Sequence, residues 1–146
     1  MTKTKYIFSL LVSILLCLSS QAGIHHYAEQ SILNDGNWVK IRVGATGVCR
    51  MSFSELSQAG LNPQQLRVFG FGGAQLEQDF TKAKIDDLPQ VPVYIGDGYV
   101  LFWVHGPYSW QYSGSRFAHT RNTYSNYGYY FLTDNTGEMM VMPYAE

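Results

Sequence analysis

Cysteine is nearly missing from this chain. There are two, Cys17 inside an apolar leader and Cys49, so an exported domain would keep one thiol and no internal disulfide, and packing must hold it together. No basic run occurs either. Removal of a leader containing Lys3 and Lys5 leaves eight basic against eleven acidic residues, which argues against nucleic acid and anionic membranes as partners. The one long apolar run, residues 6–18, is too short to span a bilayer comfortably and stands at the start of the chain.

That run belongs to a secretory signal. Lys3 and Lys5 supply the positive start, and Ser20-Gln21-Ala22 is a small-x-small cleavage site. Residues 1–22 are therefore expected to be removed, leaving Gly23 first. Leu15 and Leu16 stand where a lipidated cysteine at Cys17 would want small residues, so a lipoprotein is disfavoured. The remaining residues, roughly 124, suffice for one domain.

What the chain has in abundance is aromatic rings. There are 22, with 12 of them from Tyr99 to Phe131, and their large area supplies the packing that disulfides do not. The densest stretch, His119 to Leu132, mixes Tyr124, Tyr127, Tyr129, Tyr130 and Phe131 with Arg121, Asn122 and Asn126. It reads as an irregular Asn/Ser/Gly loop delivering a strand over residues 129–132, and the rest of the chain is expected to be organised around it.

Alternation of apolar and polar residues predicts strands at 38–43 and 48–51, joined through Gly44-Ala45-Thr46-Gly47 as a hairpin. Ser52 and Glu55 have capping-box spacing and Gly60 stands ready as a C-terminal left-handed residue, which predicts one short helix over 53–59. A strand at 66–71 ends in Gly70-Phe71-Gly72-Gly73. Gln75 occupies the third glycine position of a dinucleotide fingerprint and no βαβ unit follows, so these glycines serve a tight turn or close backbone approach.

Residues 76–88 read as a polar surface connection, with Asp86-Asp87 in a turn or salt bridge rather than a cation site. Further strands are predicted at 93–95 and 99–104, a hairpin at the centre of a sheet, and at 129–132 and 139–142, a closing hairpin. The fold class is mainly β, a β-sandwich or open barrel-like antiparallel sheet with one short helix.

Candidate chemistry is thin. His105-Gly106 ends the apolar strand as a caspase-like peptidase would present its histidine, but nothing places Cys49 beside it. His119 with Arg121 suits either an anion or the anchoring of a loop. Trp103, Trp110, Tyr108 and Tyr112 are either core or a sugar-stacking platform. If cleavage exposes Gly23-Ile24-His25, the free amine, two amides and His25 form a square-planar site for Cu(II) or Ni(II).

Several motifs, taken in order, carry a family resemblance. Trp38-Val39-Lys40-Ile41-Arg42-Val43, Thr46-Gly47-Val48-x-Arg50, Val68-Phe69-Gly70-x-Gly72-Gly73, Asp86-Asp87-Leu88, Leu101-Phe102 with Gly106-Pro107 and Trp110, and His119-x-x-Asn122-x-Tyr124-Ser125 before Tyr129-Tyr130-Phe131-Leu132 resemble the N-terminal region of the gingipain-related cysteine peptidase that serves as type IX secretion system sortase. The resemblance implies that residues 23–146 are a propeptide-like β-domain, either a fragment or a short paralogue, with its peptidase chemistry in a later domain.

No catalytic residue and no cofactor is inherited by this chain. Its implied work is docking to or covering a peptidase domain, in cis or in trans, alongside type IX secretion components, in the periplasm or at the outer-membrane surface. The docking or binding surface expected for it comprises His119, Arg121, Asn122, Tyr124, Tyr127, Tyr129, Tyr130, Trp103 and Trp110. The alternative is an independent secreted module, for glycan among other ligands; a planar row of solvent-facing rings would favour it.

Overall fold

A computed structural model describes residues 27–79 and 81–142. The leader, its cleavage site and the His25 metal site lie outside the described residues. Nine strands fall in chain order: β1 (Val39–Val43), β2 (Gly47–Ser52), β3 (Arg67–Gly72), β4 (Gln90–Val91), β5 (Val93–Ile95), β6 (Tyr99–Val104), β7 (Tyr108–Tyr112), β8 (Phe117–Arg121) and β9 (Gly128–Thr133). Among the described residues one α-helix, α1 (Phe53–Gln58), follows β2. The expected mainly-β class with one short helix is what the chain adopts.

One sheet has the order β1-β9-β3-β4, a second β2-β6-β5, and β7-β8 forms a separate two-stranded ribbon. Side chains alternate along each strand, and the inward sets meet. Val68, Tyr130 and Leu132 of the first sheet pack in one buried cluster with Val93, Val100, Phe102 and Val104 of the second. Leu56 of α1, with Leu61 and Leu66, joins that same cluster.

The capping box at the start of α1 is complete. The Glu55 N–H donates to Ser52 Oγ at 3.2 Å while the Ser52 N–H donates to Glu55 Oε2 at 2.8 Å. Gly60 takes φ +79° just past the helix, the left-handed conformation expected of it.

Two of the expected hairpins do not exist. The strands at 38–43 and 48–51 form, but β1 pairs antiparallel with β9 and β2 with β6. The three-residue link over 44–46 is an arch that carries the chain from one sheet to the other. Residues 139–142 likewise do not pair with β9. They run beside β5, with the Val93 N–H donating to the Met140 carbonyl at 2.8 Å and the Met142 N–H to the Val93 carbonyl at 2.8 Å. The β5–β6 hairpin is as expected, with β6 central in its sheet.

β9 lies in the middle of the first sheet, between β1 and β3. Only the last part of the 119–132 stretch takes this central place, since His119–Arg121 belong to β8 in the separate ribbon. Opposite it, β3 carries an extra residue: Phe69 faces Phe131 but Gly72 faces Tyr129, a bulge that makes room for the Tyr130 ring. The Tyr130 hydroxyl accepts the His105 N–H at 2.8 Å from the end of β6, tying the two sheets. Gly72, at φ +81°, has no room for a side chain, because a Cβ there would lie 2.6 Å from the His105 carbonyl oxygen.

The Asp86-Asp87 pair makes no salt bridge among the described residues. It clasps the lead-in instead. Asp86 accepts the Ala28 N–H, and Asp87 accepts the Ile32 N–H at 2.6 Å and the Ser31 hydroxyl at 3.1 Å. Burial raises the Asp87 pKa, but the N–H groups of Ile32 and Leu88 and the Ser31 hydroxyl outweigh it and hold the carboxyl below its usual range.

Because the Asp87 pKa is lowered on folding, the clasp contributes in full above the ordinary carboxylate range and is lost as pH falls through the depressed value. Amide exchange at Ile32, corrected for its intrinsic pH dependence, should lose protection only below that range, and Asp87→Asn should weaken it at neutral pH. For the sheet tie, Tyr130→Phe leaves the His105 N–H without its partner. Urea unfolding should show a loss of about 1–2 kcal/mol.

Candidate docking surface

The residues expected to form one surface fall on three different faces. His119 and Arg121 belong to β8, not to a loop, and the ribbon they help form was not anticipated. Its register sets Tyr108 opposite Arg121, Trp110 opposite His119 and Tyr112 opposite Phe117. With period two, these six side chains share one face, and Ser109, Gln111, Ala118 and Thr120 share the other. The alternation was legible in Tyr108-Ser109-Trp110-Gln111-Tyr112; it was passed over because neither face is buried.

The ribbon is an arm. Every residue of β8 is exposed, Trp110 to 65% and Phe117 to 70%. The rings touch in pairs: Trp110 and His119 centroids are 5.0 Å apart, Tyr112 and Phe117 4.9 Å. They are tilted by 46° and 39° rather than coplanar, so they form a ridge and not the flat row that stacks on a sugar ring.

Asn122 fixes the base of the arm. Its N–H donates to the Pro107 carbonyl at 2.7 Å and its side-chain amide to the Gly73 carbonyl at 2.9 Å, while its Oδ1 accepts the Tyr124 N–H at 2.8 Å. This residue is therefore a structural pin that also lines the groove beside it. Arg121 donates to Asn126 Oδ1 across the same loop, the anchoring role weighed for it.

A second face follows the loop. Tyr124, exposed to 78%, and Tyr127 and Tyr129 line a groove of about 550 Å³ with Phe71, Leu76 and Gln78. Gln78 Nε2 donates to the Tyr124 hydroxyl at 3.0 Å, bracing one wall. Tyr130 was expected on this surface and is not there. It is 1% exposed because alternation turns it inward, and burial pushes its hydroxyl above the usual phenol range.

Trp103 lies on the outer face of the second sheet, opposite Val48, and does not join either group. His105 is packed edge-on to Trp103, with centroids 6.1 Å apart. Cys49 pairs with Phe102 and packs against the core. Alternation along β6 then sends His105 to the opposite face from Phe102, so no Cys49/His105 dyad is assembled. Burial, with a smaller contribution from Glu55, raises the Cys49 pKa. Arg50 does not lower it, since its guanidinium lies over the Tyr99 ring at 4.7 Å.

No group of three or more His, Cys, Asp or Glu among the described residues is arranged to hold a metal ion. No helix among them is long and apolar enough to cross a membrane. What the geometry provides is apolar ring area on an arm and along a groove, both pinned by Asn122.

No protein-family model matches the chain, and no curated protein does by sequence. Among solved structures, the crystal structure of dimeric latent PorU from Porphyromonas gingivalis is similar at 39% identity with a TM-score of 0.73. The similarity covers 82% of this chain, and the chain spans 11% of that protein's length. The resemblance read from the motifs is thereby borne out.

A raised thiol pKa and partial burial give a direct expectation for Cys49. In a Cys17→Ser background, iodoacetamide at pH 7.5 should alkylate it about tenfold or more slowly than a free thiol such as glutathione. A rate equal to glutathione's would contradict the placement of Cys49 against the core.

Proposed function

We propose that this chain, a type IX secretion sortase-related domain by its similarity to PorU, is a non-catalytic docking domain that packs against or covers the peptidase domain of such a protein, in cis or in trans. The observation that carries this reading is the protruding β7–β8 arm. It exposes Tyr108, Trp110, Tyr112 and Phe117 along one ridge, an arrangement that in water wants a partner surface. The chain matches only a small part of PorU, consistent with a peptidase unit elsewhere in such proteins. In this reading the protein is exported and works in the periplasm or at the outer-membrane surface, with residues 1–22 as its export leader.

The arm ridge and the Tyr124, Tyr127 and Tyr129 groove form the docking surface in this reading. Both are braced at Asn122, so the two move as one unit onto the partner. Trp and Tyr anchors of this kind carry most of the binding energy at protein interfaces. His119, wedged between Trp110 and Tyr108 at centroid distances of 5.0 and 5.9 Å, holds the ridge in shape.

Exposure of the arm also favours the second reading, an independent glycan-binding module. The tilt between neighbouring rings weighs against it. A glycan panel titrated against the chain discriminates, since the module reading requires a saturable sugar ligand that is lost in Trp110→Ala.

For the docking reading, isothermal titration of the chain into the separate peptidase domain should show binding that weakens by about 2 kcal/mol, roughly 30-fold, in Trp110→Ala. Tyr129→Ala should weaken it as well. Unchanged affinity in both variants, with the far-UV spectrum of the parent retained, would count against the proposal.

A further inference from the structure

The first sheet ends at β1, and no described residue pairs with its outer edge. Among the described residues, no hydrogen bond joins the backbone of β1 to anything but β9. Alternate N–H and C=O groups of β1 therefore point sideways without a partner among the described residues, a template for one more strand. The other sheet's β5 edge, by contrast, is taken by residues 140–142.

Charge and apolar pattern at this edge select the strand that fits. Lys40 and Arg42 face outward and are exposed. Lys40 Nζ stands 4.2 Å from the centroid of the Tyr129 ring and 5.5 Å from that of Phe131, and Arg42 lies 4.8 Å from that of Tyr127. Neither forms an ion pair among the described residues. From Val39 to Ser52 the chain carries Lys40, Arg42 and Arg50 and no carboxylate. The nearest acid in sequence, Asp35, lines a pocket with Trp38, Arg67 and Asn135 and no residue of β1, and Glu55 is held by Ser52 and acts on Arg50. On the inner side, Val39, Ile41 and Val43 are only half-buried though packed against the core.

We propose that the open edge of β1 takes an extended polypeptide segment of alternating acidic and apolar residues, which continues the first sheet. A strand added beside β1 places alternate side chains next to Lys40 and Arg42, where carboxylates are favoured. Its other face covers the half-exposed Val39, Ile41 and Val43. A second copy of β1 does not fit, because antiparallel self-pairing sets Lys40 and Arg42 against the same cations. Nucleic acid and anionic lipid offer no apolar face for the inner row. The proposal needs neither the arm nor a peptidase domain, so it stands or falls separately from the docking reading.

The probe is a fluorescein-labelled synthetic peptide of alternating glutamate and valine, titrated against the full chain by polarisation. Controls are the same peptide with lysine for glutamate, and the glutamate peptide with alternate amides N-methylated. Expected are saturable binding of the glutamate peptide that weakens with salt, little binding of the lysine peptide, and loss on N-methylation. The double variant Lys40→Glu/Arg42→Glu, with an unchanged thermal melt, should bind the glutamate peptide about tenfold more weakly and the lysine peptide more tightly. No binding of the glutamate peptide, equal binding of both charges, or binding indifferent to N-methylation would overturn the proposal. Trp110→Ala should leave the titration unchanged; its loss there would place the peptide on the arm and overturn it equally.

Discussion

The hydrogen bond from the His105 N–H to the Tyr130 hydroxyl joins the end of the second sheet to the middle of the first. Around it, the backbone of three chain segments closes in. The Gly73 N–H donates to the His105 carbonyl at 3.0 Å, and the Gly106 N–H to Thr46 Oγ1 at 3.0 Å. A Cβ on Gly128 would meet the His105 carbonyl oxygen at 2.4 Å, so this junction tolerates no side chain. The bulge in β3, the arch after β1 and the start of β9 all converge there, and Asn122 pins the arm to the same place through Pro107 and Gly73. A buried hydroxyl donor–acceptor pair contributes only about 1 kcal/mol net, yet the ends of β3 and β6 and the start of β9 meet around it.

The consequence is a small sandwich whose outer faces are richer in rings than its size demands. Within the core, Tyr130 and Phe102 do the packing. Outside it, Trp38 packs edge-on to Phe69 with centroids 5.4 Å apart, and Arg67 covers Phe69 at 4.9 Å, so part of the outer layer is closed by the chain's own cations. The arm has no such cover. An arm of two strands, exposed on both faces, contributes little to the stability of the sandwich, and its aromatic ridge is the surface that the docking proposal assigns to a partner.

Much of this was legible in the residues, because alternation and capping are local. The strand cores of the two sheets, α1 with its Ser52/Glu55 box, the positive φ of Gly60, the close backbone approach at Gly72 and the strand over 129–132 all follow from nearest-neighbour chemistry. Pairing is not local, and there the reading failed. Val39–Val43 and Gly47–Ser52 joined by a glycine link look like a hairpin, but periodicity states which face a residue takes and not which strand lies beside it. Met139 to Met142 was misassigned for the same reason. Tyr130 was placed on the surface because a run of tyrosines hides the alternation that turns one ring in and its neighbours out. The arm was missed because a strand with two solvent-facing sides lacks the apolar-in signal on which strand reading rests.

Amide exchange on the β7–β8 arm tests the central claim most directly, measured in the chain alone and again with the peptidase domain added. In the free chain the arm amides should exchange fast relative to those of β6 and β9, since nothing covers the ribbon. On addition of the peptidase domain they should slow by about 100-fold or more, together with those of the Tyr124–Tyr129 loop. Arm amides that exchange at the same rate with and without saturating peptidase domain would contradict the account.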